Sequence, residues 1–182
     1  KKQFRTLPQW EKGVPKLWVQ GQFEDGWEEK IAKHKWLWEV HTNEEMDAMY
    51  KETEELLQNF VDSVDKKLTE MVDWKIFKNK QQAWNAVAPK YAEKWVKSKE
   101  YAIVGVIDVV CNDFDGGTTL LDYKTSKRYG AYLPEEYYRQ LIIYAFLYTL
   151  EMGEMPTFVG VNYLRFDDTF FVKVNQQVLD EA

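Results

Sequence analysis

Two acidic residues and a lysine stand at the ends of neighbouring apolar runs. Asp108 closes Gly105-Val106-Ile107-Asp108, and Asp122 and Lys124 share Leu121-Asp122-Tyr123-Lys124-Thr125. Residues two apart on a strand point to one face, so Asp122 and Lys124 project together. Tyr123 points to the other face, while its backbone carbonyl stays near the first. If the two runs pair as adjacent strands, Asp108 comes beside Asp122. Two carboxylates and a carbonyl make a hard oxygen site suited to Mg²⁺ or Mn²⁺. An ammonium next to them would stabilise hydroxide drawn from water and offset charge on a phosphoryl group. This is equipment for metal-dependent cleavage of a phosphodiester.

The surroundings strengthen that reading. Asp108 follows the apolar run Ile103 to Ile107, where an unpaired charge would be costly. Lys127, Arg128 and Arg139 follow closely. They read either as contacts to a phosphate backbone or as ordinary solvated charges. Gln140 and Tyr144 are four apart on a predicted helix and so share a face. A polar pair on an otherwise apolar helix points at the site, although Tyr144 also reads as a core aromatic.

The elements that must position these residues follow from periodicity. Residues 1–42 are dense in Trp and broken by Pro8, Gly13, Pro15, Gly21 and Gly26, which predicts short pieces with a helix over about 26–40. Met46, Met49, Tyr50, Leu56, Leu57, Phe60, Val61, Val64, Leu68 and Met71 recur at helical spacing and predict a helix over 43–73, capped by Thr42 or Asn43. A second helix is expected over about 80–97, with Pro89 as its weak point. Residues 101–110 are β-branched and read as a buried strand; 112–117 form an Asp/Gly turn, and 118–124 the next strand of a hairpin. Pro134 opens a helix that runs to about Glu151 and is capped by Gly153. Strands follow over 157–164 and 169–174. This order predicts an α/β fold around a mixed central sheet flanked by helices. The expected organisation is one domain over 1–182, with an irregular and helical N-terminal part (1–98) and a catalytic core (99–182).

Bulk properties narrow the function classes. The 182 residues and 45% hydrophobic content suit a packed core rather than a disordered chain. The eight Trp and eleven Tyr read mainly as core, with base stacking or a partner surface as the functional alternative. A net charge of −6 argues against tight nonspecific duplex binding but leaves room for a local cationic groove. The one cysteine, Cys111, excludes an internal disulfide framework and any four-cysteine zinc or iron–sulfur site within these residues. A reducing, cytoplasmic setting is the simplest expectation. No apolar run is long enough to span a bilayer, so no membrane role is expected. The sequence opens Lys1-Lys2 without Met, which leaves room for residues upstream. There is no Gly-rich phosphate loop, so any motor activity would come from a separate helicase or recombination partner.

Gly-x-Ile-Asp, then Asp-Tyr-Lys-Thr, then Gln-x-x-x-Tyr resembles the RecB-like branch of the PD-(D/E)XK nuclease superfamily over about residues 90–175. The resemblance implies a restriction-endonuclease-like core of αβββαβ type with a helical N-terminal elaboration. It implies a metal-dependent DNA nuclease, an exonuclease or end-processing enzyme of DNA repair, recombination or viral or phage DNA metabolism. Its substrate would be DNA, single-stranded or with free ends, and its products would carry 5′-phosphates. It implies Asp108, Asp122 and the Tyr123 carbonyl as ligands of Mg²⁺ or Mn²⁺, and Lys124 as the residue that positions the water. Gln140 and Tyr144 match the helix motif that in relatives orders the site and contacts DNA. Many relatives carry four cysteines for an iron–sulfur cluster; this chain would be a cluster-free member. RecB-like relatives also place a metal-binding His on an upstream helix. His34 is the better match here, with Glu93, expected on a helix, as the rival acidic ligand. An oligomer is compatible with the family, and a catalytically silent binding or assembly module on the same fold is the competing reading.

Overall fold

The computed structural model describes residues 14–113, 116–126 and 132–182. The chain divides into two compact units, one spanning Leu7–Gln81 and the other holding Gln82–Ala182.

The first unit is helical. Helix α1 spans Val14–Lys33, the short α2 spans Leu37–Val40, and α3 spans Asn43–Asp73. The sequence predicts short pieces before residue 42 with a helix over about 26–40, yet α1 starts at Val14, runs unbroken through Gly21 and Gly26 and ends at Lys33. An added Cβ at either glycine would meet nothing within 4 Å, so both lie on open surface. Each costs about 1 kcal/mol in propensity. Packing against α3 overrides that cost. Phe23 and Trp27, four apart, close on Tyr50 of α3 with ring centroids 4.8 and 5.3 Å away. Lys16 Nζ adds an ion pair to Asp62 at 2.6 Å. Helix α3 forms as its periodicity predicts, and Thr42 caps it. The Thr42 hydroxyl accepts from Glu45 N–H, while Glu45 Oε2 accepts from Thr42 N–H.

Helix α4, Lys80–Val87, stops before Pro89, and the expected helix to residue 97 is replaced by strand β1, Tyr91–Ser98. Proline disfavours helix for the residue before it. Beyond it the burial pattern has period two: Lys94, Val96 and Ser98 turn inward while Trp95 and Lys97 stay exposed. Strands β2 (Ile103–Asn112) and β3 (Thr118–Lys124) follow as predicted, then helix α5 (Glu135–Met152), β4 (Phe158–Tyr163), β5 (Asp168–Lys173) and the short α6 (Gln176–Asp180), which the sequence did not reveal.

The five strands lie in one sheet in chain order, β1 to β5. All neighbours are antiparallel except β3 and β4, which are parallel. A parallel pair needs a crossover, and α5 supplies it. Leu141, Ala145, Leu147 and Tyr148 of α5 pack into one core with Val96, Ile107, Val110, Leu120, Val159 and Val161. Gly153, with φ 72°, ends α5 in the left-handed conformation that glycine adopts without strain. This is the α/β, restriction-endonuclease-like architecture with a mixed sheet. Among the described residues no helix is long and apolar enough to cross a membrane.

Candidate active site

The register of β2 on β3 pairs Val110 with Leu120 and Val109 with Leu121, and there the ladder stops. One step further, Asp108 and Asp122 stand opposite each other where the strands part. The parting leaves Tyr123 N–H without a β2 carbonyl. Asp108 fills that place: its Oδ2 accepts from Tyr123 N–H at 2.8 Å. A residue in a strand presents its N–H and C=O to the same edge, so the Tyr123 carbonyl leaves β3 toward the same fork. The pairing inferred from sequence, Asp108 beside Asp122 with the Tyr123 carbonyl near them, is therefore present.

Asp122 is 4% exposed, and α5 closes over it. Gln140 Nε2 donates to Asp122 Oδ1 at 3.3 Å and to the Tyr144 hydroxyl at 2.8 Å. Gln140 Oε1 accepts from Lys124 Nζ at 3.2 Å. Lys124 Nζ lies 2.7 Å from Asp122 Oδ2. That contact is close but not aligned as a hydrogen bond, which leaves Oδ2 a buried oxygen without a hydrogen-bond donor. The contact is an ion pair. Burial pushes the Asp122 carboxyl above the usual range; Lys124 works against that shift and the Asp108 charge adds to it. A carboxylate held in this state gains most from a second cation, so the donor set fits a hard divalent metal. The Tyr123 phenol is also pushed up by burial, with smaller contributions from Cys111 and Asp108.

Two features were not legible beforehand. Lys124 Nζ sits 4.7 Å from the centroid of the Tyr137 ring, one helical turn before Gln140. Gly105, at the head of the first motif, lies under Tyr144: a Cβ there would be 2.9 Å from the Tyr144 ring. The missing side chain lets Tyr144 lie against β2 and still reach Gln140. The spacing Tyr137, Gln140, Tyr144 is one helical stripe, and that was the available signal.

The remaining candidates fall elsewhere. Arg139 turns outward and pairs with Glu135 on its own helix. With Tyr132, Pro134 and Glu136 these two line an open cavity of about 660 Å³. Lys127 and Arg128 lie outside the described residues. Glu93 is on β1 and not on a helix. It is exposed, and its φ of 50° is strained for a residue with a side chain. Its neighbours pair Ala92 with Val109 and Lys94 with Ile107. Glu93 therefore stands in the cross-strand row of Asp108 and Asp122. His34 belongs to the helical unit, with its ring edge-on to Trp36 at 6.4 Å. Among the described residues, no three His, Cys, Asp or Glu side chains gather closely enough to hold a metal.

The chain matches the model of the PD-(D/E)XK nuclease superfamily over residues 16–181. No individually curated protein matches it.

Proposed function

We propose, for a chain that belongs to the PD-(D/E)XK nuclease superfamily, a divalent-metal-dependent deoxyribonuclease of the RecB-like branch that acts on single strands or free ends. The superfamily consists largely of nucleases that use divalent metals. The observation that carries the reading is the β2–β3 fork, where Asp108 faces Asp122 and Gln140 bridges Asp122 to Lys124. Asp108, Asp122 and the Tyr123 carbonyl would hold Mg²⁺ or Mn²⁺. When bound, such an ion supplies Lewis-acid polarisation of the phosphoryl oxygen and activation of water.

The chain's own residues do the rest. Lys124 orients the attacking water and offsets negative charge that gathers on the phosphoryl oxygens. Gln140 fixes the ammonium and Asp122 at their mutual distance, and Tyr144 fixes Gln140. Asp108, tied to Tyr123 N–H, keeps one oxygen engaged and its carboxylate fixed at the fork. For the third ligand we favour Glu93 over His34, because it shares the row of the two aspartates and has a strained backbone. Loss of Mn²⁺ affinity in His34→Ala but not in Glu93→Ala would reverse that order.

Exposed Trp36 and Trp38, at 54% and 47%, are candidates to stack single-stranded bases. The double change of Trp36 and Trp38 to Ala should weaken single-strand binding by about 1–3 kcal/mol for each stacked base. Unchanged binding would sink that role.

The decisive test is cleavage of end-labelled single- and double-stranded DNA in Mn²⁺, Mg²⁺ or EDTA, wild type against Lys124→Ala. The expected outcome is metal-dependent cleavage that falls about 10²–10³-fold or more in the variant. The label pattern would distinguish end from internal attack. Intact DNA binding with no cleavage by either protein would favour the second reading, a catalytically silent binding module. The absence of a gathered third side-chain ligand among the described residues is what keeps that reading alive.

A further inference from the structure

Lys124 is held on three sides. Asp122 Oδ2 lies at 2.7 Å, Gln140 Oε1 at 3.2 Å, and the face of Tyr137 at 4.7 Å from its centroid. The first two are polar partners. The third is an aromatic ring, and its position is not accidental. Tyr137 packs against the core, and its centroid is 6.4 Å from the ring of Tyr163. Tyr163 is fully buried and is the β4 partner of Lys124 in the parallel ladder. The strand that carries the lysine and the helix that carries the ring are thus locked together through one buried tyrosine. An ammonium over an aromatic face is attracted by the ring's quadrupole, more strongly when partly desolvated. The Lys124 side chain is only 20% exposed.

We propose that Tyr137 is the positioning residue for Lys124: its ring is the floor that keeps the ammonium over the fork, at the distance from Asp122 that turnover requires. Its bearing on turnover rests on the nuclease reading above. A lysine stem has four rotatable bonds and high rotamer entropy. Asp122 and Gln140 restrain only the head, and both are also engaged with other groups. The ring faces that same ammonium, 4.7 Å from its centroid, and attracts it without competing for a hydrogen bond. It does so by electrostatics and not by volume alone, which separates this role from ordinary core packing.

The test replaces Tyr137 by Phe and by Phe carrying one, two or three ring fluorines, which drain the quadrupole at nearly constant shape. With active wild type, we expect Tyr137→Phe to retain kcat. Across the fluorinated series kcat should fall stepwise, by about tenfold in all, with KM for DNA unchanged. A flat kcat across the series overturns the proposal. So does a graded KM at constant kcat, which would make Tyr137 a contact for the nucleic acid. A second measurement needs no activity. The ε-methylene protons of Lys124, assigned through Lys124→Arg, should be shifted upfield by the ring current, and the shift should vanish in Tyr137→Leu. No upfield shift in the wild type overturns the positioning claim. If the wild type cleaves nothing, the nuclease reading falls, and the proton shift alone decides where Tyr137 holds the lysine.

Discussion

A primary amide can donate and accept at once, and Gln140 uses both capacities. Its amide group serves Asp122 and Tyr144 while its oxygen serves Lys124. Gln140→Glu keeps the shape but replaces the donor with an acceptor facing a buried carboxylate. It should lower kcat about 10- to 100-fold with little change in KM, measured by steady-state cleavage. Cys111 offers a second check on the local environment. Burial, with help from Asp113, pushes its thiol up to about 11. At pH 8 only about one thiol in a thousand is then ionised, against roughly a quarter of free cysteine. Thiol titration should be slow in the native protein and rise steeply above pH 10 or on unfolding. Brisk reaction at pH 8 would contradict the burial. At this scale the sequence exposed Asp108, Asp122, Lys124, Gln140 and Tyr144, because each lies in a local pattern of period two or four. It gave no sign of Tyr137 and placed Glu93 on a helix, because both positions depend on which strand or helix comes to lie beside them.

Elements differ in how openly they announce themselves. Helix α3, strands β2 and β3, and helix α5 were legible because periodicity, caps and turn residues agreed. Strand β1 was not, because Ala92-Glu93-Lys94 has helical composition and its signal is a pattern of burial that only the sheet creates. Helix α1 was hidden by two glycines whose cost is offset by aromatic packing on α3. Thr42→Ala removes half of a capping box and should cost about 1 kcal/mol in denaturant unfolding of the helical unit. Gly105→Ala puts a methyl 2.9 Å from the Tyr144 ring. It should destabilise by about 1–3 kcal/mol and depress cleavage. In a Tyr144→Leu background the same methyl should become neutral or favourable, since glycine within a strand is itself costly. A cost that persists in that background would refute the contact as its cause.

For the molecule as a whole, charge decides how the proposed DNA substrate could be held. At −6 the chain has no general attraction for a polyanion. Binding should therefore depend on the metal and on stacking. In EDTA at 0.2 M salt, filter binding to duplex should be no tighter than about 10⁻⁴ M, and Mn²⁺ with a cleavage-dead Lys124→Ala should tighten it. Tight duplex binding in EDTA would point instead to a local basic surface. The α/β class was legible at this scale because strands on both sides of one crossover helix leave few alternatives. The division at residue 81 was not, because no composition shift marks it.

The turn that closes β2 on β3 is clamped. Asp113 N–H donates to Gly117 C=O at 3.0 Å, and Gly117 N–H donates to Asp113 Oδ1 at 2.6 Å. A Cβ at Gly117 would fall 2.0 Å from the Thr157 hydroxyl. Register in a hairpin follows from this kind of closure, and a slip of one residue turns every side chain to the opposite face. One residue gained or lost between Gly117 and Asp122 would carry both Asp122 and Lys124 away from Gln140, with every residue of the site still encoded. Residues added inside the clamp, between Asp113 and Gly117, would lengthen the loop and leave the register alone. Insertions are therefore expected to be tolerated inside this clamp and to abolish the site between Gly117 and Asp122, a boundary drawn by spacing rather than by the identity of any residue.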